Sequence, residues 1–133
     1  MPLSTADRLD ITELIARHGH LVDAGEFDRI GEVFAEDVVH DLTDFGLGTV
    51  TGLGLFRDAE SAPGVVHPVG HHVTNTVLTA LDDDHVQARS KGIGVQADGT
   101  TGSVVYDDVV ERRAVGWRIT RRRVLARRAP LTA

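Results

Sequence analysis

Asp23 and the adjacent histidines His71 and His72 are the groups of this chain whose type and setting suit them to moving protons. Asp23 falls at the end of a helix-like segment, where unpaired carbonyls and the negative end of the helix dipole disfavour a carboxylate. Local helix energetics therefore explain it poorly. It serves either as a turn former ahead of Ala24-Gly25 or as a chemical group. His71 opens a long strand-like run, and side chains alternate along a strand. His71, Val73, Asn75 and Val77 are then expected on one face, and His72, Thr74, Thr76 and Leu78 on the other. One of the two histidines faces inward, either as a structural residue or as a base whose titration lies near neutrality.

Other chemistries lack their parts. There is no cysteine, which excludes thiolate catalysis, disulfides and iron–sulfur clusters. His67, His71 and His72 look like a metal cluster in one dimension. Strand neighbours diverge, however, and positions four apart are separated by roughly 13 Å, so no metal is expected. Gly46-x-Gly48 and Gly52-x-Gly54 lack the spacing and context of a nucleotide-binding loop. No G-x-S-x-G nucleophile motif occurs.

The elements that must position Asp23 and His71 can be read in order. Ser4 and Thr5 are N-cap residues, with Asp7 at the capping-box distance from Ser4. Ile11, Leu14, Ile15, His18, Leu21 and Val22 then repeat at helical spacing, and Ala24-Gly25 stops the helix. A short helix is expected over 26–34, a brief strand over 38–42, a glycine-punctuated turn and strand over 45–52, and a third short helix over 53–60. After the break at Ser61-Ala-Pro-Gly64 the chain turns β-like. Strands are expected over 71–81, 85–97, 103–112 and 117–127, with Gly92 and Gly94 suggesting a bend or bulge in the second. Helices followed by strands indicate an α+β fold with an antiparallel sheet.

The 133 residues make one domain by length, spanning 1–133. Hydrophobic residues at 41% and charged ones at 26% are ordinary for a globular protein. No apolar run approaches a membrane span and no signal peptide is recognisable at the N-terminus, so a cytoplasmic location and no membrane partner are expected. The net charge of −6 is uneven: the first sixty residues are strongly acidic, and arginines 118, 121, 122, 123, 127 and 128 crowd the other end. These arginines either bind phosphates or balance acidic elements of the same molecule. The acidic total and the lack of exposed aromatics for base stacking favour the second, and no nucleic-acid partner is expected.

The order of elements, together with Val22-Asp23-Ala-Gly-Glu-Phe-Asp28, Phe34-Ala-Glu-Asp-Val-Val-His40, His71-His72-Val-Thr-Asn75 and Tyr106-x-Asp108…Gly116-Trp117-Arg-Ile119, resembles the SnoaL-like proteins of the nuclear transport factor 2-like superfamily. The resemblance covers nearly the whole chain. It implies a cone in which three N-terminal helices pack against a curved antiparallel sheet around a small-molecule pocket. Relatives of that kind include scytalone dehydratase, ketosteroid isomerase, polyketide cyclases and a dehydrochlorinase, alongside non-catalytic members, so fold alone does not fix function.

Dehydratase and dehydrochlorinase members use an Asp–His pair, and the resemblance carries those roles to Asp23 and His71. A carboxylate accepting from one imidazole nitrogen fixes the tautomer and leaves the other to take a proton. His18, on the apolar face of the first helix, and His40, alternating with Val38 and Leu42, match pocket-lining positions of the family. Each either donates to a substrate oxygen or fills the core. Asn75 either binds substrate or caps the sheet. Asp107 and Asp108 face opposite ways, so one projects inward, and Asp107 is carried as a further substrate-binding candidate. The tyrosine pair of scytalone dehydratase is not matched, since Tyr106 is the only tyrosine. The implied function is a cofactor-independent lyase, isomerase or cyclase acting on a hydrophobic oxygenated small molecule. The alternative is a non-catalytic ligand-binding or assembly domain of the same fold. The resemblance also implies a homodimer or higher homo-oligomer formed through an uncovered sheet face.

Overall fold

The computed structural model of the chain describes residues 3–61 and 67–130. Most of the break expected at 61–64 lies outside the described residues. Helix α1 (Thr5–Asp23) begins where Ser4 accepts from the Asp7 amide at 3.0 Å, and it ends at Ala24 before the left-handed Gly25. Asp7 also accepts from Trp117 Nε1 at 3.0 Å and from both Arg112 Nη atoms at 3.2 Å. These bonds pin the start of α1 to a distant hairpin and hold the Asp7 carboxyl far below its ordinary range, the Arg112 hydrogen bonds contributing most. Ile11, Leu14, Ile15, His18 and Leu21 form the buried stripe of α1.

Strand β1 (Phe34–Asp41) and the short β2 (Thr49–Thr51) precede helix α2 (Gly54–Ser61). Strands β3 (Gly70–Ala80), β4 (His85–Val95), β5 (Thr101–Arg113) and β6 (Gly116–Arg127) follow. One curved sheet results, in the order β2-β1-β6-β5-β4-β3, antiparallel except where β1 runs parallel to β6, with its ends left open. The fold is α+β, as the run of helices before strands implies. Its core joins Ile11 and Ile15 of α1 to Phe34, Val38, Val86, Val110, Trp117 and Ile119 of the sheet. Each aliphatic or aromatic side chain so buried stabilises the fold by roughly 1.5–3 kcal/mol.

Three expectations need correction. The helix placed over 26–34 is a 3-10 turn at Phe27–Glu32, and Phe34 belongs to β1. The Ile119 amide donates to the Val33 carbonyl at 2.9 Å, so sheet pairing claims the backbone that a longer helix would have used. The bulge expected at Gly92 or Gly94 lies one strand away, between Thr74 and Val77 of β3, where Asn75 takes a left-handed φ of 57°. That extra residue reverses the alternation. Thr76 and Leu78 therefore join the face of His71 and Val73, and Val77 turns out to solvent at 64% exposure. A second register shift between Val109 and Val110 of β5, opposite Ile119 and Arg121, changes the phase of β6. As a result Ile119 and Arg122 are buried while Arg121 is exposed.

Candidate functional site

The last residue of α1 and the second residue of β3 meet although 48 positions separate them in sequence. The Asp23 Oδ1–His71 Nδ1 distance is 2.6 Å, and the backbone N–H of His71 donates to Asp23 Oδ2 at 2.9 Å. Both carboxylate oxygens are thus engaged by one residue, which offsets the unfavourable position of a negative charge at a helix C-terminus. The contact requires α1 and β3 to approach closely, and Gly19 allows it. A Cβ at Gly19 would lie 2.5 Å from the His71 carbonyl oxygen. With Nδ1–H directed at the carboxylate, the neutral ring carries its lone pair on Nε2. The His71 and Asp23 side chains are 21% and 26% exposed, so the pair is reachable yet largely shielded.

The dyad forms part of the wall of a cavity of about 520 Å³, together with His18, Val22, Phe27, Phe56 and Tyr106. Its lining is mostly apolar, with a few convergent polar groups, as suits a small-molecule site. His18 is 5% exposed, and its ring centroid stands 6.0 Å from that of His71 and 5.9 Å from that of Tyr106. Burial holds the His18 pKa well below its ordinary value, with help from the Arg122 charge, so the ring is neutral at physiological pH.

A family model described as a SnoaL-like domain matches residues 4–123. The chain belongs to the SnoaL-like domain family. Among solved structures, this SnoaL-like protein is similar to a Novosphingobium aromaticivorans protein assigned as an aromatic ring hydroxylase, with 28% identity and a TM-score of 0.79 over 96% of this chain and 94% of that one. It is also similar to a hexachlorocyclohexane dehydrochlorinase, LinA type 2, with 22% identity and a TM-score of 0.73 over 97% and 94% of the two chains. A third similar structure is a Novosphingobium aromaticivorans protein assigned as a scytalone dehydratase, with 17% identity and a TM-score of 0.72 over 94% and 89%. At the identities of the last two, the likeness is one of fold. Among curated proteins nothing matches.

Of the residues singled out in the SnoaL-like sequence, Asp23, His71 and His18 share the cavity wall. The other three lie elsewhere. His40 is 2% exposed and sits behind the wall, its ring centroid 5.4 Å from Phe56 and 5.1 Å from Phe34. Burial lowers its pKa to about 4. Asn75 is exposed on the bulge, where its tolerance of positive φ suits it to the backbone. Asp107 is on the outer face, accepting from Gln87 Nε2 at 2.9 Å. Its neighbour Asp108 is the inward one, in phase with buried Tyr106 and Val110.

Asp108 is fully buried and accepts from Arg122 Nε and Nη2, each at 2.8 Å. Burial raises its pKa against the pull of the guanidinium. Strand alternation pointed to one inward carboxylate but not to which one. Arg122 belongs to the arginine-rich C-terminal stretch expected to balance acidic elements of the same molecule, in which Arg121 pairs with Asp41 and Arg128 with Asp44. For Gly19 the sequence itself holds a signal. A glycine inside a helix costs about 1 kcal/mol relative to alanine, and close approach of another backbone is a common reason to keep one. Among the described residues, no group of three or more His, Asp or Glu is arranged to hold a metal ion.

Proposed function

We propose that this SnoaL-like protein is a cofactor-independent lyase or isomerase acting on a hydrophobic, oxygenated small molecule, with His71 as general base and Asp23 as its orienting partner. The observation that carries this reading is the two-point clamp of Asp23 on His71 at 2.6 and 2.9 Å in the wall of a ligand-sized cavity. Asp23 fixes the imidazole so that Nε2 accepts a proton, and it stabilises the imidazolium that results. His18, neutral and beside His71, is a hydrogen-bonding partner for a polar group of the substrate. The apolar lining selects a hydrophobic body. Family membership supports the reading, as do relatives of the same fold named as a dehydrochlorinase and assigned as a dehydratase.

The test uses hydrogen exchange at an activated carbon, which reads the proton abstraction that elimination, isomerisation and cyclisation share. Cyclic enolisable ketones such as β-tetralone are incubated with the protein in heavy water, and deuterium uptake at the α-carbon is followed by mass spectrometry. The wild type is expected to accelerate uptake. His71→Ala and Asp23→Asn are expected to lose most of it, on the order of 10²–10⁴-fold for a general base. Uptake at wild-type rate in both variants removes the dyad from the mechanism. A protein that binds the ketones but exchanges none of them is a ligand carrier.

A further inference from the structure

Phe27 stands apart from the other phenylalanines of the chain. Phe34 and Phe56 pack on each other with ring centroids 5.1 Å apart, and the Arg128 guanidinium lies 5.5 Å from the ring of Phe45. Phe27 is half-buried, and among the described residues no ring or cation packs on it and it has no place in the core cluster. Its backbone is held all the same. It opens the 3-10 turn after α1, where the Glu26 amide donates to the Leu21 carbonyl at 2.9 Å and Arg29 bridges Glu26 and Glu32 at 2.6 and 2.7 Å. Gly25 presents no side chain to the ring, and even a Cβ there would lie 4.0 Å from Phe27 Cε2. A firm backbone thus carries a loosely packed ring. Open space lies on both sides of it. Phe27 belongs to the wall of the dyad cavity and also to that of a second cavity, of about 630 Å³, between the 3-10 turn, the start of β1 and the β5–β6 hairpin. The floor of the second is apolar, formed by Ile30, Phe34 and Leu53. Its two arginines are engaged: Arg113 pairs with Asp37 and Glu111, and Arg118 donates to the Gly31 and Trp117 carbonyls at 2.8 and 2.7 Å. Asp28 and Glu36 line the same wall and repel an anion.

We propose that Phe27 is a movable partition between the two cavities, and that the second is a subsite for the uncharged, apolar tail of an elongated substrate whose reacting end lies at His71. This rests on the reading of the dyad as the proton-transfer site, and it adds a shape and a polarity to the substrate class. With the ring across the gap, each cavity closes on its own side. A turn about the Phe27 side-chain torsions joins them, and rotamers that neighbours do not lock interconvert quickly. A short substrate leaves the ring in place, whereas a longer one displaces it and gains the apolar floor beyond. A carboxylate or phosphate tail is excluded, because it would leave water for an apolar floor beside two acids and two arginines already engaged. Phe27 thereby sets which substrate lengths the dyad cavity accepts.

Binding of para-alkylphenols, from ethyl to octyl, is measured by calorimetry at neutral pH, where the phenols are uncharged and no turnover intervenes. Wild-type affinity is expected to rise about fourfold for each methylene buried, to pause where the chain meets Phe27, and to rise again as it enters the second cavity. Phe27→Ala is expected to remove the pause. Gly31→Leu is expected to cut off the second rise. A Cβ at Gly31 would stand 3.8 Å from Leu53 Cδ1, an ordinary contact, so the added side chain occupies the second cavity without strain. Thermal melting reports that both variants fold. Affinity that levels off at one chain length in the wild type and Phe27→Ala alike overturns the proposal, as does a second rise that survives in Gly31→Leu, or no alkylphenol binding at all. If the length profile depends on Phe27 and Gly31 while ketone exchange ignores His71, the base assignment fails and the subsite stands. If exchange needs His71 while the profile levels off, the dyad stands and the subsite falls.

Discussion

Two carboxylates of this molecule each face a nitrogenous partner, one 48 positions away and the other 14, and they are treated in opposite ways. Asp23 meets His71 where α1 reaches β3, with both side chains between a fifth and a third exposed on a cavity wall. Asp108 meets Arg122 under the sheet, at 0% and 2% exposure, through two bonds of 2.8 Å. A proton-transfer group must be reached by substrate and must tolerate both protonation states. A sealed guanidinium–carboxylate pair tolerates only one. The first arrangement is open to turnover, and the second makes the interior intolerant of change.

The largest expected effect lies at the sealed pair. Arg122→Met leaves a carboxylate in the core without its partner, and breaking a buried pair in this way costs about 3–5 kcal/mol. Urea unfolding should show a loss of that size. The double variant Asp108→Leu/Arg122→Met should recover much of it, because no uncompensated charge remains. A single variant as stable as the wild type would mean that Asp108 is already neutral.

Next comes acid sensitivity. His40 titrates in the folded state at about 4 because burial disfavours its charged form, and His18 is depressed for the same reason. The unfolded chain binds these protons first, near pH 6.5. Stability from the neutral histidines is therefore complete above about 6.5 and falls as pH drops towards 4, by about 3 kcal/mol at most for His40. His40→Phe should flatten the dependence of the urea midpoint on pH across that window. An equally steep profile in the variant would show that His40 does not titrate there.

The sequence disclosed the two regions unequally, for a physical reason. The order of elements, the Ser4–Asp7 cap and the turn at Gly25 follow from local rules, and local rules act on neighbouring residues. Asp23 was conspicuous because a carboxylate is out of place at a helix end. Asn75, Asp107 and Arg122 depend instead on strand phase. Phase is set by bulges in β3 and β6, which arise from pairing with distant partners rather than from any motif of their own. The alternation that set Asn75 beside His71 holds only as far as Thr74. His40 shows a third limit: its inward direction was legible, but the cavity wall stops at Phe56, in front of it.

Gly19 governs the first region, since it determines how near the helix lies to His71. Gly19→Ala places a methyl group 2.5 Å from the His71 carbonyl, and backbone cannot step aside as a flexible side chain can. Overpacking of this kind costs about 1–3 kcal/mol, partly offset by the higher helix propensity of alanine. The displaced helix carries Asp23 away from His71. Ketone exchange should therefore fall further than stability does, and the imidazole proton signal of His71 should lose the downfield shift of a short hydrogen bond. Unchanged exchange in a measurably destabilised Gly19→Ala would separate packing from chemistry.

The smallest change in stability is expected at the dyad itself. Asp23→Asn keeps an oxygen that can accept from the His71 amide, and the pair is exposed enough for solvent to screen its charge. Thermal and urea unfolding should thus move by about 1 kcal/mol or less. Its chemistry should not be spared in proportion. A side-chain amide directs N–H as readily as oxygen at Nδ1, which frees the ring to place its own proton on Nε2, the nitrogen required as base. The Asn variant should lose ketone exchange while melting almost as the wild type does, and nitrogen-15 shifts of the His71 ring should report the change of tautomer. Were Asp23 present only to fasten α1 to β3, the order would reverse: stability would fall first, and exchange would follow only as far as the folded fraction allows.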